Sequence, residues 1–287
     1  MNPTVKACLW MIGAIASFSS MAVAGRELSS SLDTFEIMMY RSMFGLVIVL
    51  TVAGFAGTLR EVNTGNFRLQ LVRNLAHFTG QNLWFYAVTI IPLAQVFALE
   101  FTSPLWVIVL SPLILGERLT AMRGFAAIMG FIGILIVARP DMAGINAGVI
   151  TAASSAIFFA ITMMLTKKLT RTQSITCILF WLTVLQLIFG IVATAWDGDI
   201  AVPAAAELPL VLLIGAAGLM AHFCLTTALS LAPATVIVPV DFIRLPTIAI
   251  VGMLLYQEPL EIQVFIGALI IFTGNYLNLW AETRRTA

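Results

Sequence analysis

The chain has 287 residues, of which 60% are hydrophobic and only 10% are charged, and its mean hydropathy is +1.01. Because about a quarter of the residues in soluble domains are charged, this composition excludes an ordinary soluble protein and indicates a polytopic membrane protein. The net charge is +1 and no basic tract occurs, so we expect a lipid bilayer and a small molecule as partners and no nucleic acid.

Apolar runs of membrane-spanning length succeed one another along the chain. A hydrocarbon core of about 30 Å takes roughly 20 apolar residues per helix. The runs are continuous and do not alternate with polar residues, which favours helices over a β-barrel. The predicted fold is therefore all-α and integral to the membrane, with ten transmembrane helices. Their predicted limits are residues 5–25, 35–56, 71–91, 93–115, 122–139, 146–166, 174–196, 208–230, 234–256 and 262–281.

The first of these runs also has features of a cleaved signal peptide, which is the alternative interpretation. It carries Lys6 near its start and small residues, such as Ala22 and Ala24, near its end. The run is long for a signal peptide, and the internal repeat described below requires it as a helix. We therefore predict that residues 5–25 span the membrane.

Lysine and arginine residues collect on one side of the ten predicted helices. With the N-terminus in the cytoplasm, eleven of them are cytoplasmic and only Arg26 and Arg139 are external. Cytoplasmic loops are enriched in these residues, so both termini are predicted to be cytoplasmic and residues 197–207 external. The eleven are Lys6, Arg60, Arg68, Arg73, Arg118, Arg123, Lys167, Lys168, Arg171, Arg284 and Arg285.

The stretch 92–119 carries one acid inside an apolar run, and the same pattern returns 141 residues later, at 233–260, so that Glu100 matches Asp241. Helices 1–5 thereby correspond to helices 6–10. Because five is odd, the second set crosses the membrane in the opposite direction, which is typical of transporters with a substrate site near the midplane. The two predicted inverted five-helix repeats are residues 1–141 and 142–287.

A proline before the fourth helix of each half, Pro92 and Pro233, and a glutamate that closes that helix, Glu117 and Glu258, follow the same repeat. With the two five-helix halves, these residues resemble the EamA branch of the drug/metabolite transporter superfamily over nearly the whole chain. The resemblance implies a secondary transporter of a bacterial inner membrane that moves a small organic metabolite by alternating access. We expect export of amino acids or related compounds; the alternative is uptake of a planar vitamin such as riboflavin.

Four charged residues, Arg41, Glu100, Asp241 and Arg244, lie well inside predicted helices and away from the helix ends, and such residues usually face a cavity or a partner. Arg41 and Glu100 are each about seven residues into an inward-running helix, roughly 10 Å below the outer surface, and are predicted to pair. Asp241 and Arg244 are three residues apart on one helix face and are predicted to form a second pair. Both pairs could serve helix packing alone, or they could act in substrate binding, gating or proton coupling, and these interpretations stay open.

Polar and aromatic residues at mid-helix positions complete the candidate site, because such groups can line a pocket for a planar or amphipathic solute. Helix packing is the alternative for each of them. His77 lies nearer the cytoplasm and is predicted to make a helix–helix hydrogen bond. The remaining candidates for substrate binding or gating are Gln81, Asn82, Trp84, Phe159, Trp181 and His222.

The glutamates Glu117 and Glu258 are each at a helix end near water, where a carboxylate can accept hydrogen bonds from the N-terminus of the following helix, so both are assigned a structural role. Glycines along helices 5 and 10 are predicted to permit close packing, either within one chain or at a dimer surface, so that monomer and homodimer both stay open. These glycines are Gly124, Gly130, Gly133, Gly267 and Gly274.

Motifs for catalysis or cofactor binding do not occur, since there is no GxGxxG, Walker, HExxH or nucleophile-elbow pattern. Cys8, Cys177 and Cys224 stand singly, without disulfide or zinc spacing. We therefore expect no cofactor, no metal and no enzymatic activity, and an intramembrane enzyme or a receptor is a remote alternative. His222 is the best candidate for a proton carrier, but a facilitator without a coupling ion is the preferred hypothesis.

Overall fold

The computed structural model describes residues 3–115, 121–138, 146–196, 200–231, 240–241 and 243–286, and these contain helices, turns and loops but no strand. The helices up to residue 138 are α1 (Pro3–Leu28), α2 (Thr34–Phe55), α3 (Phe67–Ile90), α4 (Leu93–Glu100), α5 (Ser103–Leu115) and α6 (Ala121–Ala138). The helices that follow are α7 (Ala147–Leu169), α8 (Ile175–Thr194), α9 (Leu208–Leu231), α10 (Arg244–Tyr256) and α11 (Ile262–Thr286). A single 3-10 turn, Leu59–Glu61, connects α2 to α3.

Within the described residues, six segments are long and apolar enough to cross a membrane, by length and composition. Shorter apolar stretches in α6, α10 and α11 accompany them. The prediction of an all-helical, multi-pass membrane protein is confirmed, whereas the count of ten spanning helices and their inverted arrangement stay predictions. The six segments are Val5–Leu28, Thr34–Phe55, Leu93–Leu110, Ala147–Leu169, Ile175–Thr194 and Leu208–Leu225.

The fourth predicted helix, residues 93–115, contains the spanning segment Leu93–Leu110, but a turn at residues 101–102 divides it into α4 and α5, so only its continuity was wrongly predicted. Pro104 is the cause, because it has no N–H to donate to the carbonyl of Glu100 and its ring would crowd that carbonyl in a continuous helix. The hydroxyl of Ser103 donates to the Glu100 carbonyl instead, at 2.6 Å. This bond satisfies a backbone oxygen that lies in an apolar interior.

A second helix begins at the equivalent position of the second half. α10 starts at Arg244, which is 141 residues after the start of α5 at Ser103. Glu100 precedes one helix start by three residues, and Asp241 precedes the other by the same three. Because α4 and α10 pack against each other, both acids come to the same region of the interior.

The closest helix pairs join the first half of the chain to the second. α1 packs along α9, α3 along α7, α2 along α8 and α6 along α11. The main apolar core contains buried residues of both halves, from Met21 to Ile271. Side chains from both halves therefore line the interior together.

Three of the five glycines, Gly133 of α6 and Gly267 and Gly274 of α11, lie at a contact between the two helix backbones. A Cβ atom built on Gly133 would lie 2.8 Å from the carbonyl oxygen of Gly267, and one built on Gly267 would lie 2.8 Å from that of Gly133. A Cβ on Gly274 would lie 3.1 Å from the carbonyl oxygen of Ala126. Close packing of these helices within one chain, as the sequence predicted, is therefore present.

Candidate functional site

Arg244, at the first position of α10, bonds two acids from different parts of the chain. Its Nη2 atom lies 3.1 Å from Oε1 of Glu100 and 3.3 Å from Oδ2 of Asp241. Arg244 is buried, with 4% of its surface exposed. We call Glu100, Asp241 and Arg244 the acid–arginine cluster. The predicted pair of Asp241 and Arg244 is present, and Glu100 joins it.

The second oxygen of Glu100 is held by Trp84, a residue of α3 that the sequence placed in the candidate site. The indole Nε1 donates to Oε2 of Glu100 at 2.9 Å, and the Trp84 ring packs edge-on against Phe97 with centroids 5.7 Å apart. In contrast, Oδ1 of Asp241 and Nε of Arg244 have no hydrogen-bond partner among the described residues. The cluster thus keeps one buried acceptor and one buried donor without a partner in the described part of the chain.

Three phenyl rings enclose the guanidinium of Arg244. The distances from its Cζ atom to the ring centroids are 4.7 Å for Phe18, 4.8 Å for Phe101 and 5.1 Å for Phe97. Contacts of this kind contribute about 1 to 2 kcal/mol when they are desolvated. Sequence reasoning did not assign these rings to the site, although the repeat matched Phe18 with the candidate Phe159 and so offered a signal.

Each phenylalanine of that repeat-related pair contacts a histidine of the other half. The ring of Phe18 packs edge-on against His222, with centroids 5.8 Å apart, and the ring of Phe159 lies 6.2 Å from His77. The two imidazole centroids are 6.1 Å apart. Neither nitrogen of His77 has a hydrogen-bond partner in the described part of the chain, so its predicted helix–helix hydrogen bond is wrong.

Arg41 does not pair with Glu100, so the predicted ion pair between them is wrong. The sequence predicted that Arg41 and Glu100 lie at equal depth in the membrane. Their helices have different neighbours, however, because α2 packs against α8 and α9, whereas α4 packs against α10. Arg41 is 8% exposed, and its polar contact among the described residues is the sulfur of Met38, 3.7 Å from Nη1. It lines a small cavity together with His222.

A further buried arginine, Arg73 of α3, was missed because its position near a helix end placed it among the cytoplasmic charges. It is 4% exposed. Its Nε donates to Oγ1 of Thr166 at 3.0 Å, and its Nη1 donates to Oδ1 of Asn74 at 2.9 Å. Arg73 therefore joins α3 to α7 through neutral acceptors.

The remaining polar and aromatic candidates are not brought to the acid–arginine cluster by any recorded contact. Gln81 and Asn82 are buried, and Asn82 donates to the carbonyl of Phe78 in its own helix. Trp181 lies near the start of α8, where its Nε1 donates to the carbonyl of Asn63 at 2.8 Å. The structure thus gives Trp181 a contact with the loop before α3.

Glu258 is at the end of α10, as predicted, but it accepts a hydrogen bond from a different helix than expected. Its carboxylate forms an ion pair with Arg26 and accepts from the backbone N–H of Leu93, the first residue of α4, at 2.9 Å. The sequence had predicted the following helix as donor, because the packing of α4 against α10 could not be foreseen. The matching Glu117 lies outside the described residues.

Metal ligands do not come together in the described part of the chain, since no group of three or more His, Cys, Asp or Glu side chains is suitably placed. The cysteines Cys8, Cys177 and Cys224 are free thiols. The chemistry of this interior is therefore that of charges, imidazoles, amides and aromatic rings.

Comparison with known proteins identifies one family. The model of the EamA-like transporter family matches residues 5–139 and 146–280. A solved crystal structure is similar in fold, with a TM-score of 0.67 and 15% sequence identity, and the match covers 98% of this chain and 99% of that one.

Curated relatives cover nearly the whole chain and are transporters. An S-adenosylmethionine uptake transporter of Rickettsia bellii is 25% identical, over 96% of this chain and 94% of its own. A riboflavin transporter of Brucella anthropi is 29% identical, over 96% of this chain and 100% of its own. A pseudopaline exporter of Pseudomonas aeruginosa is 27% identical, over 89% of both chains.

Proposed function

Because the chain belongs to the EamA-like transporter family and is a multi-pass membrane protein that transports a small metabolite, we propose that it is a secondary transporter of the bacterial inner membrane, working by alternating access. The names of the family and of its relatives point to a transporter rather than an enzyme. Both termini are proposed to be cytoplasmic, on the distribution of lysine and arginine in the sequence.

The observation that carries this proposal is the acid–arginine cluster at two equivalent helix starts. Transporters with inverted repeats bind solutes near the midplane, at helices that are interrupted there. The helix pairs also support ten helices in two inverted repeats. The first helix of the first half, α1, packs along the third helix of the second half, α9. In the same way, the first helix of the second half, α7, packs along the third helix of the first half, α3.

The solute that fits this site best is an amino acid or a related compound. Oδ1 of Asp241 can accept from a donor group of such a solute, Nε of Arg244 can donate to one of its oxygens, and the surrounding phenyl rings suit an apolar or planar side chain. S-adenosylmethionine, which the Rickettsia bellii relative is named for, is such an amino-acid derivative. We propose export as the direction, since an exporter of an accumulating metabolite can run downhill without a coupling ion.

Uptake of a planar vitamin is the second candidate. The riboflavin transporter of Brucella anthropi, at 29% identity, favours it. The aromatic rings around Arg244 could also stack with an isoalloxazine ring.

The test is counterflow of radiolabelled tryptophan, phenylalanine, S-adenosylmethionine and riboflavin in proteoliposomes. We expect exchange of at least one amino-acid-type solute, a strong reduction in Asp241→Asn, and no change in Glu61→Gln, an exposed acid of the 3-10 turn. Failure of every solute to exchange would contradict the proposal. If the protein is a facilitator, an imposed pH gradient should not make the solute accumulate inside the liposomes. Accumulation would instead require a proton carrier, and its loss in His222→Gln would identify His222 as that carrier.

A further inference from the structure

A small cavity lies between α2, α8 and α9. Arg41, Gln186 and His222 are among its lining residues, and no acid is found among the described residues that line it. Its usable volume of about 20 Å³ is room for one or two water molecules or a small polar group. The cavity adjoins the acid–arginine cluster across one phenyl ring, because Phe18 contacts His222 as well as the guanidinium of Arg244.

Arg41 brings a positive charge to this cavity without a counter-charge from the described residues. A guanidinium has five N–H donors, and a thioether is only a weak acceptor. The contact with the sulfur of Met38, at 3.7 Å, is the polar contact of Arg41 in the described part of the chain. A buried charge left in this state costs several kcal/mol, so its presence requires a source of negative charge or a functional reason.

The other two arginines that are buried in the described part of the chain have oxygen acceptors of different kinds. Arg244 has two carboxylates, and Arg73 has the hydroxyl of Thr166 and the amide oxygen of Asn74. Of these three arginines, Arg41 alone has no oxygen acceptor among the described residues. Arg41 is therefore the arginine that can still bind an oxygen acceptor from a ligand.

The backbone of α9 is shaped for the guanidinium of Arg41. A Cβ atom on Gly218 would lie 2.8 Å from both Nε and Nη2 of Arg41, so the guanidinium rests directly against the helix. A Cβ on Gly215 would lie 3.3 Å from the carbonyl oxygen of Arg41, which also depends on a small residue there. Two glycines three positions apart thus form a seat that holds the guanidinium beside the cavity.

Each neutral polar side chain of the cavity already donates one hydrogen bond. Nε2 of Gln186 donates to the carbonyl of Asn74, and the hydroxyls of Ser42 and Thr183 donate to carbonyls of their own helices. The other polar side chains that line the cavity are the guanidinium of Arg41 and the imidazole of His222. The guanidinium is suited to an anion, since charged N–H donors bind carboxylate and phosphate oxygens strongly.

We propose that the transported solute carries an anionic group, a carboxylate or a phosphate, which binds Arg41 in this cavity while the rest of the solute extends past Phe18 to the acid–arginine cluster. The proposal rests on the transport function above and adds to it the place where the anionic group of the solute binds. A guanidinium so placed forms a bidentate contact with the anion and fixes the solute in one orientation.

The experiment compares probes that differ in one anionic group. Equilibrium binding to the purified full-length protein is measured for tryptophan against tryptamine, which lacks the carboxylate, and for riboflavin 5′-phosphate against riboflavin. We expect the acid-bearing probe of at least one pair to bind at least tenfold tighter, and the pair that responds distinguishes carboxylate from phosphate. Arg41→Gln should reduce the preference to less than twofold, and Arg41→Lys should keep part of it.

Gly218→Ala provides a second variant that keeps the charge but pushes the guanidinium from its seat, and we expect it to lower the preference at least threefold. Gly124→Ala, where an added Cβ meets nothing within 4 Å, should leave it unchanged. The anion site would be overturned if the wild type showed no preference or bound none of the probes. It would also be overturned if the preference survived in both Arg41→Gln and Gly218→Ala. If the protein exchanges solutes in liposomes but shows no such preference, the anion site is refuted and the transport function stands. If it binds anionic probes but exchanges no solute, only the transport function is refuted.

Discussion

Glu100 and Arg244 are 144 positions apart in the chain, and their Oε1 and Nη2 atoms lie 3.1 Å apart. The contact joins α4 to α10 and therefore links the two halves. If the halves move during transport, this contact has to loosen. Asp241, three residues from Arg244 on the same side, would then keep the guanidinium paired, which lowers the cost of separation.

The first prediction is that Glu100 and Arg244 are energetically coupled. Glu100→Gln and Arg244→Gln each remove one partner of a buried pair and should lower the free energy of unfolding by about 3 kcal/mol. The double variant should lose at least about 1 kcal/mol less than the sum of the two. Unfolding by SDS titration in bicelles measures these values.

The matched control for this cycle combines Glu100→Gln with Arg41→Gln. Because Arg41 and Glu100 do not contact each other, the losses of unfolding free energy in the two single variants should add within about 0.5 kcal/mol. Coupling in this control, with additivity in the first cycle, would contradict the arrangement of the acid–arginine cluster.

Partners inside the membrane could be predicted only where they are local in sequence. Residues three apart share a face of one helix, so the pair of Asp241 and Arg244 followed from spacing alone. For Arg41 and Glu100, the rise of 1.5 Å per residue predicted equal depth but not the direction in which each side chain points. That direction depends on which helices pack together, and one chain's hydropathy contains no such information.

The helix break after α4 had a local signal that the hydropathy of the run concealed. Pro104 follows Ser103 directly, and a proline fits in the first turn of a helix because no earlier carbonyl there needs its N–H. An apolar run of spanning length favoured one continuous helix. The multi-pass helical fold was predictable from composition, whereas the position of this break required the local chemistry of proline and serine.

The second prediction concerns Glu258, which joins Arg26 to the first N–H of α4. Glu258→Gln still offers an oxygen to Leu93 and loses only the charge opposite Arg26, a partly exposed side chain, so we expect a loss of less than about 1 kcal/mol. Glu258→Ala loses both contacts and should be destabilised by about 2 kcal/mol. Thermal unfolding of the purified variants distinguishes them, and equal losses would argue against the bond to Leu93.

The third prediction is topological, and it follows from the distribution of lysine and arginine. On a background without Cys8, Cys177 and Cys224, Ala205→Cys should react with a membrane-impermeant maleimide in intact cells. Thr64→Cys, in the loop between α2 and α3, should react only after permeabilisation. Both positions are exposed in the structure, so access to reagent depends on the side of the membrane. The reverse pattern would invert the proposed orientation.

The fourth prediction concerns the contact of α6 with α11, where two glycine substitutions should have opposite effects. Alanine is favoured over glycine in a helix by about 1 kcal/mol, so Gly124→Ala, which meets nothing within 4 Å, should be neutral or slightly stabilising. In Gly133→Ala the new Cβ would lie 2.8 Å from the backbone oxygen of Gly267 and 2.5 Å from Cγ1 of Ile271. A backbone oxygen cannot rotate away as a side chain can, so the helices have to separate, and overpacking of this kind costs about 1 to 3 kcal/mol. The free energy of unfolding of both variants, measured by SDS titration in bicelles, decides the matter, since equal stability of the two would mean that α6 and α11 do not approach as closely as the structure places them.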